Sequence, residues 1–247
     1  MIGFHTACRA VAQMYLVCQP LLSRAFLQDV DRCVAEVACH ESLPPVFVEA
    51  LIAGEDHRYF DHLGIDPLSI IRATVSCVFR NRIEGASTIE QQFVRVVTGR
   101  YERTISRKIK EQLLAIALSK RCSKYAIACA YLSIATYGTR LVGRRALELR
   151  CEPLLDATLW AIAGMVARLK YPEPSQHCAI WTRKVERRRR HVSMRIKAAR
   201  AQSATRDQTQ TTIECATAFS GYSLCERYGS PDDKISDDRE NQTDHLG

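Results

Sequence analysis

The 247-residue chain is predicted to fold as a mainly α protein, and three observations carry that reading. Apolar residues recur at spacings of three and four, long alternating β-branched runs are missing, and the apolar segments open on recognisable helix starts. With 47% apolar and 25% charged residues, 11 Gly and 8 Pro, the composition excludes collagen-like, low-complexity and largely disordered chains. A chain of this length buries a self-sufficient core without disulfide or metal staples.

The elements follow in order. Residues 8–27 look apolar, but Arg9, Gln13, Gln19, Pro20, Ser23 and Arg24 interrupt them before the roughly 20 residues that cross a bilayer are reached. No transmembrane helix or signal peptide is expected there, and a helix packed on the body is favoured over one lying at a membrane surface. Pro44 and Pro45 precede Val46, Phe47, Ala50 and Leu51, as at a helix with proline in its first turn. Asp66 and Pro67 open a second helix, with Leu68, Ile71, Val75 and Val78 on one face and an end near Arg80.

A turn is expected over residues 81–86. Ser87 and Thr88 then cap a short helix bearing Ile89, Phe93 and Val96, stopped by Gly99. Thr104 or Ser106 caps the next, which carries Ile105, Ile109, Leu113, Leu114, Ile116 and Leu118. Further helices are expected over 124–136, 157–169 and 179–197, separated by Gly138, Gly143, Pro153, Pro172 and Pro174. After Ala201 the chain is rich in Gln, Ser, Thr and Asp with few large apolar residues, and reads as a mobile polar tail. The expected division is 1–42 for an amino-terminal helical or membrane-surface segment, 43–200 for the functional domain and 201–247 for the tail. No internal repeat is visible.

The net charge of +8 is uneven, because residues 203–247 hold 9 acids and 4 bases. A basic body suits an anionic partner: nucleic acid, a phosphorylated substrate or a lipid surface. The Arg187 to Arg190 run is read as a solvated helix face, so no nucleic acid is expected. Eleven cysteines form no C-x-x-C pair and lack zinc-site spacing, and they are read as small hydrophobes.

Three clusters bear chemistry. Residues 54–66 pack four acids and two histidines between apolar helices, and Glu55 and Asp56 oppose the macrodipole at a helix carboxyl end, a cost that hints at a site. Against this stands a solvated loop capped by Asp66, the better bet on local physics alone. Residues 85–92 join a glycine to a helix amino terminus suited to an anion, followed by Gln91 and Gln92, which can read sugar hydroxyls or amides. Their bland reading is a well-capped amphipathic helix. Residues 103–111 put Arg107 and Glu111 on one helical face, ordinarily an exposed ion pair. That face continues into Leu114, Ala115 and Leu118, which sets Glu111 where polar surface meets core.

The order and spacing of these clusters resemble the family 51 glycosyltransferases, the peptidoglycan glycosyltransferases of penicillin-binding proteins and of monofunctional enzymes. The family's Glu-Asp-x-x-Phe-x-x-His-x-Gly resembles Glu55 to Gly64, with Tyr59 at the phenylalanine position and Phe60 after it, and Ile65, Asp66, Ile70, Ile71, Arg72 and Ala73 look like its continuation. Gly-x-Ser-Thr-Ile-x-Gln-Gln is complete from Gly85 to Gln92, and Arg-Lys-x-x-Glu from Arg107 to Glu111. The fourth motif resembles Lys124 to Ile127, Tyr131, Leu132 and Gly138, with Ser133 replacing asparagine and Ala126, Cys129 and Thr158 standing where acids are common. Arg188, Arg189 and Val192 suggest the fifth. The resemblance covers about residues 46–198.

That resemblance implies a lysozyme-like helical domain with a polar C-terminal tail, which polymerises lipid II with inversion and releases undecaprenyl pyrophosphate. It implies Glu55 as general base and Glu111 as the acid that manages the pyrophosphate side with Arg107 and Lys108. Ser87, Thr88, Gln91, Gln92, Arg103 and Lys124 are expected at the substrate, while Asp56, His62, Gly64, Asp66 and Gly85 shape the motifs. Mg²⁺ or Mn²⁺ is optional, since no residue set forms a dedicated metal cage, and no organic cofactor is expected. Expected partners are lipid II, the growing glycan, the bacterial membrane surface and other cell-wall synthesis proteins, at the outer face of the cytoplasmic membrane. The sequence in hand leaves no room for a transpeptidase domain, so a monofunctional enzyme is expected. A catalytically impaired glycan-binding scaffold and a lysozyme-like hydrolase are the alternatives.

Overall fold

The computed structural model describes residues 23–80, 85 and 87–225. The rest of the expected turn over 81–86, most of the amino-terminal apolar stretch and residues 226–247 of the expected tail lie outside the described residues. Among the described residues the order is α1 (Arg24–Ala38), α2 (Pro45–Glu55), a 3₁₀ turn (Tyr59–Asp61), α3 (Pro67–Arg80), α4 (Ile89–Thr98), α5 (Ile105–Arg121) and α6 (Lys124–Ile134). A ribbon of β1 (Thr136–Gly138) and β2 (Leu141–Val142) follows, then α7 (Gly143–Cys151), a 3₁₀ turn (Leu154–Asp156), α8 (Leu159–Lys170) and α9 (Ala179–Cys225). The mainly helical expectation holds.

Capping chemistry sets most boundaries. Thr88 accepts from the Gln91 amide at 3.3 Å, Thr104 from that of Arg107 at 3.2 Å, and Ser123 from that of Ala126 at 3.2 Å. Each satisfies an orphan amide of a first turn, worth about 1 kcal/mol. Gly99 ends α4 in the left-handed conformation, φ 64°, as its position after the last periodic residue predicts.

α6 is the central helix: Ile127 through Ser133 are buried without a break, the pattern of a helix apolar on all sides. α4 packs on both α5 and α6, α2 on α6 and α8, and α7 on α6 and α8. α1, capped by Ser23 at 3.3 Å from the Phe26 amide, buries Phe26, Val30, Cys33 and Val37 in the same core and packs on α4, α5 and α6. Each such side chain contributes about 1.5–3 kcal/mol when fully buried. Asp29 on α1 also accepts from Arg100 at 2.7 Å and Lys110 at 2.9 Å. Arg24–Ala38 thus continues the core of the residues after 43.

Three differences from expectation have local causes. α6 stops at Ile134 rather than 136, because Ala135 turns extended and Tyr137 donates its hydroxyl to the Leu132 carbonyl at 2.7 Å. Gly143 begins α7 instead of merely separating helices: its φ is 62°, and a Cβ there would lie 2.5 Å from the Ser133 carbonyl oxygen. α9 runs past 197, because Pro is absent from residues 201–225 and Gly first appears at 221. The chain divides into two compact units, Met1–Lys197 and Ala198–Gly247, and every element up to α8 belongs to the first.

Cys33, Cys129 and Cys151 are buried free thiols, in keeping with their reading as small hydrophobes, whereas Cys39 and Cys178 are exposed and depart from it. Burial pushes the Cys33 thiol up to about 12 and that of Cys151 to about 11.

Candidate active site

Glu55 is the last residue of α2, at a turn that packs tightly. A Cβ on Gly54 would lie 2.5 Å from Val166 Cγ1 and 3.3 Å from Val192 Cγ2, so the missing side chain lets α8 and α9 close on this turn. Arg188, one helical turn before Val192, donates to Glu55 Oε1 at 3.1 Å and to the Gly54 carbonyl oxygen. Gln92 donates to the other carboxylate oxygen at 3.4 Å, and its own carbonyl accepts from the Tyr131 hydroxyl at 2.7 Å. The cost of an acid at a helix carboxyl end is thus met by a cation from α9.

Asp56 and Gly64 build the frame. Asp56 Oδ2 accepts from His62 Nε2 at 3.0 Å and from the Ile89 amide at 3.3 Å, which ties the first cluster to the start of α4. Gly64 has φ 86°, and a Cβ there would lie 2.4 Å from the Ala115 carbonyl oxygen, so only glycine fits against α5. The Thr88 hydroxyl donates to the Gly64 carbonyl at 2.7 Å. Thr88, expected at the substrate, therefore spends its side chain on the scaffold. Asp66 caps α3, accepting from the Leu68 amide at 3.1 Å and the Ser69 hydroxyl at 2.5 Å. Burial alone raises its carboxyl, but the Ser69 hydrogen bonds outweigh that and hold it below the usual range.

Glu111 is buried on α5 inside a ring of three cations. Arg95 grips it with Nε at 2.9 Å and Nη2 at 3.0 Å, Arg107 donates to Oε2, and Lys108 donates to Oε1 at 2.7 Å. Burial raises its carboxyl, yet Arg95 and Lys108 outweigh it and hold it low. Lys108 also reaches Gln91 Oε1 at 2.5 Å and Ser87 Oγ at 3.1 Å, and Arg95 reaches Ser87 at 3.4 Å. Burial lowers the Lys108 ammonium against the pull of Glu111. Gln91 Nε2 and Arg107 Nε are buried N–H groups without a protein partner beside this ring.

Lys124 lies elsewhere than expected. Its ammonium bonds the fully buried Glu90, approaches His62 Nδ1 at 3.5 Å and sits 4.4 Å over the Tyr59 ring. A buried carboxylate demands a counter-charge, and Glu90 occupies an unspecified position of its motif, so no sequence pattern announces the pair. Asp56, His62 and Glu90 offer ligand atoms within 4.8 Å of one another and could hold a metal ion, although Lys124 already engages two of them. Arg103 is exposed before α5, and Gly85 is exposed with nothing within 4 Å of a Cβ there.

The departures from the motifs are absorbed locally. Tyr59 is buried and donates its hydroxyl to the Lys124 carbonyl at 2.8 Å, Ser133 donates to the Cys129 carbonyl at 2.9 Å, and Thr158 caps α8. Sequence reasoning missed Arg188, read there as part of a solvated run but bound to Glu55, and Arg95. Arg95 stands four positions after Gln91 on the same face of α4, a spacing that carried the signal.

The fold and these contacts define a helical protein with two buried-edge acids, one held by an amide and a cation and the other enclosed by cations beside unpartnered donors. The chain belongs to the transglycosylase family, whose pattern matches residues 24–197. It is similar to penicillin-binding protein 1A of Escherichia coli (strain K12), 41% identical over 104 residues, covering 42% of this chain and 12% of that protein. It is also similar to penicillin-binding protein 1A of Streptococcus pneumoniae (strain ATCC BAA-255 / R6), 32% identical over 143 residues, 55% of this chain and 20% of that one. The same protein of Vibrio cholerae serotype O1 (strain ATCC 39315 / El Tor Inaba N16961) is 36% identical over 135 residues, with 53% and 16% covered. The chain thus spans a fifth or less of the length of these relatives.

Proposed function

We propose that this protein is a peptidoglycan glycosyltransferase that joins lipid II units into glycan strands and releases undecaprenyl pyrophosphate. The observation that carries this reading is that α4 ties both acids into one assembly. Its Gln92 donates to Glu55, while its Gln91 accepts from Lys108 and its Arg95 grips Glu111.

Glu55 serves as general base: it takes the proton of the acceptor sugar's 4-hydroxyl as that oxygen attacks the anomeric carbon of the lipid-linked donor. The bond from that carbon to the pyrophosphate oxygen breaks, the configuration inverts, and charge builds on the leaving phosphates. Arg95, Arg107 and Lys108 meet this charge in place, and preorganised cations of this kind typically supply several kcal/mol. Glu111 acts by fixing those three cations. Gln91 Nε2 and Arg107 Nε remain as donors for phosphate oxygens, and Ser87 extends the same wall.

A Mg²⁺ or Mn²⁺ ion does not fit at Glu111, because both carboxylate oxygens are taken by N–H donors and three positive charges crowd the position. The Asp56, His62 and Glu90 group has the donors for an ion, but Lys124 supplies a positive charge there already. No step of the reaction is routed through a metal.

The hydrolase reading is less favoured, since a glycan hydrolase has no use for a cation ring around its second acid. The scaffold reading is disfavoured by the ordered contacts of Glu55. The reaction takes place at the outer surface of the cytoplasmic membrane, where lipid II and the growing strand are met, in company with other cell-wall synthesis proteins. Among the described residues no helix is long and apolar enough to cross a membrane.

The test is polymerisation of labelled lipid II by the parent and by Glu55→Gln. We expect polymer from the parent and at least a 10²-fold loss in the variant, the usual scale for a general base. Equal rates overturn the assignment of Glu55. Cleavage of preformed glycan without polymerisation favours the hydrolase.

A further inference from the structure

The contacts of Glu55 raise a question that its role as base leaves open: what keeps a carboxylate at the end of a helix in one orientation. Exposed backbone carbonyls at a helix carboxyl end repel an anion, and a free glutamate side chain samples several rotamers. Gln92 addresses one oxygen at 3.4 Å, a long bond from a neutral amide. Arg188 addresses the other at 3.1 Å from a cation that also holds the Gly54 carbonyl, and its side chain is only 17% exposed.

We propose that Arg188 is a positioning residue for the general base, clamping Glu55 to the carbonyl end of α2 so that the carboxylate stays aimed at the acceptor hydroxyl. This rests on the transfer reaction proposed above. Three features of the fold support it. Gly54 is bare so that Val166 and Val192 can close on the last turn of α2, and this approach brings Arg188 within reach. The guanidinium offers several N–H groups in a fixed plane, so one nitrogen can serve a carbonyl and a carboxylate together, which a lysine ammonium does with far less directional control. Arg188 Nε is buried without a partner, a cost that a purely stabilising contact has no reason to bear. Each oxygen of Glu55 accepts only one of these bonds and keeps a lone pair for the incoming proton.

The experiment compares the parent with Arg188→Gln and Arg188→Lys. Each is first checked for fold by circular dichroism and thermal melting. In steady-state lipid II polymerisation we expect kcat of Arg188→Gln to fall about 10²-fold with KM nearly unchanged, the scale of losing a fixed orientation at the reacting atom. We expect Arg188→Lys to recover part of the rate. Unchanged kcat in a folded Arg188→Gln overturns the proposal, as does a variant that melts earlier but keeps its turnover.

A second measurement does not depend on turnover. The Glu55 side chain is followed by ¹³C NMR in the parent and in Arg188→Gln, with Glu55→Gln assigning the signal, and three-bond couplings read how many rotamers it samples. Arg188 as clamp predicts one rotamer in the parent and averaged couplings on its removal, and equal couplings in the two overturn it. A parent that fails to polymerise lipid II yet shows this change refutes the proposed function while leaving the clamp standing.

Discussion

Arg95 on α4 holds both oxygens of Glu111 on α5, at 2.9 and 3.0 Å, although 16 positions separate the two in the chain. A guanidinium that meets a carboxylate with two nitrogens fixes the angle between the two helices as well as the charge. The pair therefore belongs at once to the packing of α4 on α5 and to the cation wall beside the glutamines.

Removing Glu111's charge should loosen that wall. Breaking one side of a buried ion pair costs about 3–5 kcal/mol, and the partial exposure of Arg95 and Lys108 screens some of it, so Glu111→Gln is expected to lose about 2 kcal/mol. Urea unfolding checks the stability, and lipid II polymerisation checks a parallel fall in kcat. Full stability in the variant would show that the three cations hold one another's places without their anion.

Arg95→Ala should cost more activity than Arg103→Ala. The first removes a two-pronged contact and a bond to Ser87, worth about 10²-fold or more in kcat, whereas Arg103 stands exposed outside the ring. Polymerisation rates of the two variants, measured side by side, decide this.

Acid should unfold the protein through its depressed carboxyls. Glu111 and Asp66 both titrate below their ordinary values of 4.5 and 3.8 in the folded chain. The stability they add is complete above those ordinary values and is lost as pH falls through the lower folded-state values. Chemical unfolding between about pH 5 and 2 should show a steeper fall in the parent than in Glu111→Gln.

Glu90 and Lys124 should behave as a coupled pair. Lys124→Met leaves a fully buried carboxylate without its cation and is expected to cost about 3–5 kcal/mol, whereas the double change with Glu90→Leu restores much of it. A double-mutant cycle read by urea unfolding measures the coupling, and strictly additive losses would contradict it.

Gly64→Ala should be among the most damaging small substitutions. A left-handed alanine costs about 1–2 kcal/mol, and the overlap with the Ala115 carbonyl at 2.4 Å adds backbone displacement in α5. A melting temperature several degrees lower is expected, while Gly85→Ala, with open space around it, should melt close to the parent.

The two glycines show what the sequence can and cannot convey. Both lie within motifs and look equally special in one dimension, but only Gly64 is held against another helix. Ser133 and Thr158 read as losses from a motif, and the structure finds each hydroxyl employed in a bond or a cap. β1, β2 and α7 escaped notice because segments this short leave too few residues for a period to emerge.

The amino acids by themselves determined the helical class, the starts at Pro45, Pro67, Thr88 and Thr104, and the motif residues that pointed to Glu55 and Glu111, because caps, prolines and apolar periods act over a few neighbouring residues. Only the tertiary structure decided which cation meets which acid. Arg188 reaches Glu55 across 133 positions and Lys124 reaches Glu90 across 34, and such pairings follow from how helices pack rather than from any local preference. Opposite charges pair at whatever sequence distance the packing brings them to, and the core of this protein brings these together at the edges of α2 and α4.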